Sequence, residues 1–186
     1  MKKPVWYSDY LRTTKDNRFT LKHFLREFLF QHRFRYMVYL RRAQNTKLRV
    51  VKFYCEYKMY RLCRKYGIEI KTETKIGKGF VMKHPYNITI SPMAVIGDYV
   101  TVMKGATVGM SGGKKIGAPK IGNRVYIGIN STIIGGVVIG DDVMIAPNTL
   151  INVDVPSHSV VIGSPCKIIP RENATWQYIF NIKEDI

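Results

Sequence analysis

Two periodicities divide the chain. Between Thr20 and Tyr66 apolar residues recur at intervals of three and four: Leu21, Phe24, Leu25, Phe28 and Leu29 in one run, Val51, Tyr54, Cys55, Met59, Leu62, Cys63 and Tyr66 in another. That spacing follows one face of an α-helix. It predicts two amphipathic helices with a break around Ala43 to Thr46, their outer faces crowded with Arg, Lys and Tyr. Gly67 follows a last turn holding Arg64 and Lys65 and is the expected C-terminal cap.

Beyond Gly67 the interval becomes six. Ile90, Ile96, Val102 and Val108 keep it, and after "GMSGGKKIGAPK" it resumes at Ile121, Ile127, Ile133, Ile139, Ile145 and Ile151. Small or β-branched residues repeat four positions later, at Ala94, Val100, Ala106, Val125, Ser131, Val137, Val143, Thr149 and Val155. A helix needs a period of about 3.6 and a lone strand about 2. A period of six, with Gly97-Asp98, Gly122-Asn123 and Gly140-Asp141 near corners, fits a short strand followed by a tight turn. Three such units close one triangular coil with the aliphatic residues stacked inside. An earlier set, Ile70, Ile76, Met82 and Ile88, keeps the interval but stands two residues out of step with Ile90. The register therefore slips in the coil holding His84, and a bulge there is expected to turn the imidazole outward.

Charge sharpens the division. Residues 1–66 carry 18 Lys and Arg against 4 Asp and Glu, while residues 67–186 carry 12 against 9. The basicity belongs to the helical region. Three cysteines are an odd number, and Cys55 and Cys63 lie on one helix without reach of each other, so a disulfide framework is not expected and a reducing cytoplasm fits best. No run of about 18 apolar residues and no secretory leader are present, so export and a membrane span are not expected. A metal site is not expected either, because only His84 and His158 lie beyond Gly67 and His23 and His32 fall on opposite sides of a helix.

The repeat, with "EIKTETKIGKG", "KHPYNITISPMAVIG", "VGMSGGKKIGAPKIG" and "VPSHSVVIGSPCKII", resembles the hexapeptide-repeat acyltransferases, in particular the serine acetyltransferase branch and related O-acetyltransferases of bacterial polysaccharide loci. The resemblance implies a mainly β fold, a left-handed parallel β-helix with an N-terminal helical region and a short C-terminal helix. The expected divisions are residues 1–66, a β-helix over 67–170 with an arm at 109–120, and a tail or helix over 171–186. It implies a homotrimer with acetyl-CoA in the groove between neighbouring subunits and the arm over the site.

In that family the histidine at the place of His84 is the general base, and an acidic residue stands where Glu69 stands. A neutral imidazole accepts a hydroxyl proton as the oxygen attacks a thioester, and a carboxylate stacked near it holds the ring. Gly109 is the candidate for approach to the thioester oxygen. Gly128, Ala146, Lys167 and Lys114 are the candidate cofactor contacts, and Lys83, Tyr86 and Ala118 the candidate acceptor contacts.

Departures from the family steer the acceptor. Serine acetyltransferases carry an aspartate before the catalytic histidine and an Arg-His pair before the proline of the arm; this chain has Lys83, then Gly117 and Ala118 ahead of Pro119. Unpaired charges on serine would cost about 1–3 kcal/mol each. The expected reaction is therefore acetylation of a sugar hydroxyl, on a free or lipid-linked glycan of capsule, exopolysaccharide or O-antigen, with serine O-acetylation in cysteine biosynthesis as the alternative. Peripheral contact of residues 20–66 with the inner face of a membrane is expected to compete with packing on the trimer, and no nucleic-acid reader motif is present.

Overall fold

The computed structural model describes residues 4–14, 19–113 and 115–182. Four helices come first: α1 (Val5–Leu11), α2 (Leu21–Phe30), α3 (His32–Asn45) and α4 (Arg49–Tyr66). The segment expected to hold two helices thus holds three. The additional break is at Gln31, whose extended backbone (φ −104°, ψ 103°) carries no glycine or proline to announce it. Gly67 caps α4 as expected, with φ 69° and its N–H on the Cys63 carbonyl at 2.7 Å.

Five coils follow. The first holds β1 (Ile68–Ile70), β2 (Lys75–Ile76) and β3 (Val81–Lys83); the second β4 (Ile88–Ile90), β5 (Val95–Ile96) and β6 (Thr101–Met103). The third holds β7 (Thr107–Gly109), β8 (Lys120–Ile121) and β9 (Tyr126–Ile127); the fourth β10 (Thr132–Ile134), β11 (Val138–Ile139) and β12 (Val143–Ile145). The last has β13 (Leu150–Ile151) and β14 (Ser159–Ile162), and β15 (Lys167–Pro170) closes it as an antiparallel hairpin on β14. Three parallel sheets run the length of a left-handed β-helix, in the orders β1-β4-β7-β10-β13, β2-β5-β8-β11 and β3-β6-β9-β12-β14. The residues expected at the six-residue interval fill the interior: Ile90, Val102, Val108, Ile127, Ile133, Ile145 and Ile151 are at most 1% exposed.

The Gly-Asp corners stack into a ladder. Asp98 accepts the Lys78 N–H, Asn123 that of Asp98, Asp141 that of Asn123, and the Ser157 hydroxyl that of Asp141, at 2.6–2.9 Å. The glycine beside each carboxamide or carboxylate leaves room for the coil behind: a Cβ at Gly97 would lie 2.6 Å from the Gly122 carbonyl oxygen.

The N-terminal helices cap the first coil, whose backbone would otherwise present an open sheet edge. Tyr36 donates to the Ile70 carbonyl and accepts from the Ile70 N–H, Gln44 donates to Thr72 and Thr74, Arg41 to Ile76 and Gly77, and Arg12 to Gly79. Arg41 is itself paired with buried Asp9 at 2.9 Å, and Asp9 accepts the Phe80 N–H. Part of the N-terminal basicity is therefore structural.

The C-terminal segment is not the short helix expected. Residues 172–178 form turns, and the chain runs back along the third sheet as a strap. Asp142 accepts the Ala174 and Thr175 N–H groups, Tyr178 packs on Tyr126 with ring centroids 4.7 Å apart, and Asn181 donates to the Thr14 carbonyl. The last four residues, "KEDI", lie outside the described residues.

Candidate active site

His84 stands on the corner leading from β3 to β4. Ile68 pairs with Ile88, twenty residues on, whereas Thr89 pairs with Thr107, eighteen on. The two additional residues fall between Lys83, which still pairs with Met103, and Ile88. The expected strand bulge is thus an enlarged corner, and it does present the histidine to solvent. His84 and Asn87 take φ of 51° and 53°, a left-handed conformation that costs an L-residue about 1–2 kcal/mol. Backbone bonds hold the corner: Tyr86 N–H on the His84 carbonyl (2.9 Å), Asn87 N–H on Tyr66 (3.0 Å) and Gly105 N–H on Tyr86 (2.8 Å).

A second histidine supports this corner. His32, the first residue of α3, has Nε2 3.4 Å from the Pro85 carbonyl oxygen, and its ring stacks on Tyr66 at 3.9 Å with Tyr86 edge-on at 5.4 Å. Burial lowers its pKa, opposed by the Pro85 bond and reinforced by Arg35, Arg33 and Lys65. A neutral ring with Nε2 protonated donates to Pro85 and fixes the residue next to His84. Sequence reasoning had weighed His32 only as a metal ligand. No local sequence signal finds it, because the break after Gln31 that places it has no glycine or proline.

Glu69 lies in β1 with its side chain outward and exposed, opposite Thr89 in the next coil. No hydrogen bond or ion pair joins it to His84 among the described residues. Glu69 instead lines a cavity of about 510 Å³ between α4 and the first coil, with Glu56, Glu73, Lys71, Tyr60 and Cys63. Lys83 turns toward the strap: its Nζ lies 5.5 Å from the Phe180 ring centre, and burial, with Arg12 and Arg33 nearby, lowers its pKa. Tyr86 is half exposed at the His84 corner, where an acceptor contact was expected.

The arm is a folded hairpin. Ser111 and Gly117 exchange backbone bonds of 3.0 Å, the Lys115 carbonyl accepts the Gly136 N–H, and Lys115 Nζ pairs with Asp154 at 2.5 Å. It lies against the fourth coil instead of projecting freely, and Lys115 is taken up by Asp154. Lys114 lies outside the described residues. Ala118 follows the hairpin, half-buried, just before β8. Gly109 ends β7 at the entrance to the arm; a Cβ there would touch only Ile134 and Thr107 carbons at 3.9 Å, so packing does not demand a glycine.

The expected cofactor contacts are less open than the sequence implied. Gly128 donates its N–H to Ile145 and Ala146 donates its own to Val161, so neither amide is free for a ligand, and both are fixed by the stacking of coils. Lys167 is exposed at the start of β15. Among the described residues no group of three or more His, Cys, Asp or Glu side chains is arranged to hold a metal.

Comparison with known proteins follows the same division. Residues 118–152 match the family described as bacterial transferase hexapeptide (six repeats). Serine acetyltransferase 4 of Arabidopsis thaliana is 40% identical over 111 residues, covering 59% of this chain and 31% of the relative. Serine acetyltransferase of Helicobacter pylori (strain ATCC 700392 / 26695) is 38% identical over 109 residues, covering 57% of this chain and 63% of the relative. In three dimensions, a serine acetyltransferase from Brucella abortus strain S19 in complex with coenzyme A superposes with a TM-score of 0.74 at 23% identity, over 91% of this chain and 67% of that one. The chain spans less than two thirds of the length of these curated relatives. Their names overturn the expectation of a sugar or glycan acceptor and of a role in polysaccharide synthesis. That expectation assumed that the groups binding serine must stand at Lys83, Gly117 and Ala118, and Lys83 proves to be drawn away under the strap.

Proposed function

We propose that this chain, whose β-helix carries the hexapeptide repeat and is similar in sequence to serine acetyltransferases, transfers an acetyl group from acetyl-CoA to the hydroxyl of serine. The observation that carries the reading is the enlarged corner, which holds an exposed imidazole at φ 51° inside a coil otherwise built on a strict repeat. His84 removes the hydroxyl proton as the serine oxygen bonds to the thioester carbon. The oxyanion forms beside the Gly109 backbone, the C–S bond breaks, and the departing thiolate takes the proton from His84. Among the described residues Glu69 has no hydrogen bond or ion pair, and β1 pairs directly with the strand that leaves the corner; its role is to orient the His84 ring in the loaded enzyme.

Serine brings an ammonium and a carboxylate. The cavity beside Glu69 offers both signs of partner, with Glu73 for the ammonium and Lys71 for the carboxylate. Burying either group unpaired would cost about 1–3 kcal/mol or more, so a cleft of mixed sign supports a zwitterionic acceptor over a neutral one. Acetyl-CoA is the cosubstrate, held between neighbouring β-helices of a homotrimer, with exposed Lys167 directed to its phosphates. The reaction belongs in the cytoplasm, with the basic helices free to meet a membrane surface.

Serine-dependent release of CoA thiol is the test. Turnover of serine with kcat/KM above about 10⁴ M⁻¹s⁻¹ is expected of a cognate substrate. Thiol release that does not rise with serine would refute the acceptor.

A further inference from the structure

Among the described residues the outer stripe of α4 is largely exposed, with Tyr54 at its edge packed against Tyr39 of α3. Leu48, Val50 and Phe53 are 64%, 80% and 72% exposed, and Tyr54, Tyr57 and Tyr60 follow on the same side at about half exposure. The end of the helix is basic: Arg61 and Arg64 lie over the Tyr57 and Tyr60 rings at 6.0 and 5.8 Å, and Lys65 lies over Tyr66 at 5.4 Å. α4 carries Arg49, Lys52, Lys58, Arg61, Arg64 and Lys65 against a single acid, Glu56. α2 repeats the arrangement on a smaller scale, with Leu21, Leu25, Leu29 and Phe30 exposed beside Lys22 and Arg26. Tyr39 of α3 touches both Phe28 of α2 and Tyr54 of α4, so the two helices flank the same helix.

We propose that this face docks on an anionic lipid bilayer, lying in its interface. The partner must be anionic, because a second copy of the face would set six cations of α4 against six others. It must also accept aliphatic side chains, and Leu48, Val50 and Leu21 find no such surroundings along a nucleic-acid backbone, whereas the boundary between headgroups and acyl chains takes both kinds. Tyrosine rings with arginines folded over them suit that boundary, with the ring toward the chains and the guanidinium toward phosphate. No described helix is long and apolar enough to cross a membrane, so the contact is peripheral. The cations that cap the first coil, Arg12 and Arg41, face inward and are not part of the surface.

The experiment is co-sedimentation of the full chain with vesicles of phosphatidylcholine alone and of phosphatidylcholine mixed with phosphatidylglycerol. Binding is expected to the mixed vesicles, to fall at high salt, and to fall at least tenfold in a Val50→Ser, Phe53→Ser double variant whose circular dichroism and molar mass match the parent. Equal binding to both vesicle types overturns the proposal. So does absence of vesicle binding with capture of a single-stranded oligonucleotide, or a fall in molar mass of the double variant in light scattering, which would mean that a second copy covers the face.

Discussion

Gly109 and Gly128 look alike in the sequence and differ in what a methyl group would meet. At Gly109 it finds only two carbons at 3.9 Å; at Gly128 it lands 2.6–2.7 Å from the Ile145 carbonyl and the Ala146–Pro147 backbone. Gly109→Ala is therefore expected to keep the melting temperature and lower kcat on the order of 10- to 100-fold, by displacing the thioester from the backbone. Gly128→Ala is expected to destabilise the fold by about 1–3 kcal/mol, as overpacking does. Thermal unfolding beside the CoA-release assay separates the two; a Gly109 variant that unfolds early would remove it from the site. Glu69→Gln should lower kcat by on the order of tenfold, less than the loss on replacing His84, because it orients a base and transfers no proton itself. A larger loss from Glu69→Gln would exchange their roles. The slip between Met82 and Ile90 made His84 legible in the sequence, since counting core positions locates an insertion to within one coil. Counting does not say whether the additional residues sit in a strand or a corner; that is decided by the left-handed backbone of His84 and Asn87. His32 was not legible, because its contact with Pro85 joins residues 53 apart.

Among elements, the β-helix was read almost strand by strand, and the elements that rest on long-range contacts were not. The break at Gln31 has no local breaker, and the strap has no periodicity; it is held by Asp142 and Tyr126, which stand 33 residues before Thr175 and 52 before Tyr178. Asp142 carries a prediction for the strap. Burial pushes its carboxyl up, but the Thr175 hydroxyl and N–H, His158 and the Ala174 N–H outweigh burial and hold it below the ordinary value of 3.8. A carboxylate whose pKa is depressed on folding adds stability above its unfolded value, and that stability is lost as pH falls through the folded one. The strap is thus expected to stay docked from neutral pH down to about 4 and to loosen below it. Limited proteolysis between residues 171 and 182 with an acid-active protease measures this, and Asp142→Asn should loosen the strap at neutral pH. A strap equally protected at all pH values in the parent would show that Asp142 does not hold it.

For the molecule as a whole, assembly and acceptor are the two claims. Along the second sheet the exposed row alternates Lys75, Val95, Lys120 and Val138, with Met93 63% exposed beside it, a mixed face that a neighbouring β-helix is proposed to cover. Light scattering is expected to give the mass of a trimer of 21.5 kDa chains, and a monomer at micromolar concentration would remove the proposed cofactor groove. The reaction class was legible because the repeat and the His84 coil are local patterns. The expected sugar acceptor rested on three absent contacts taken as the whole pocket; Glu73 and Lys71, proposed above as partners of serine, line a cavity that α4 and the first coil form together. The central claim, acetyl transfer to serine by way of His84, is tested most directly by replacing that residue with asparagine, which tolerates its left-handed backbone and cannot serve as the base. With circular dichroism unchanged, the predicted result is a fall in serine-dependent kcat of about 10²- to 10⁴-fold; a variant that turns over serine as fast as the parent would contradict the mechanism.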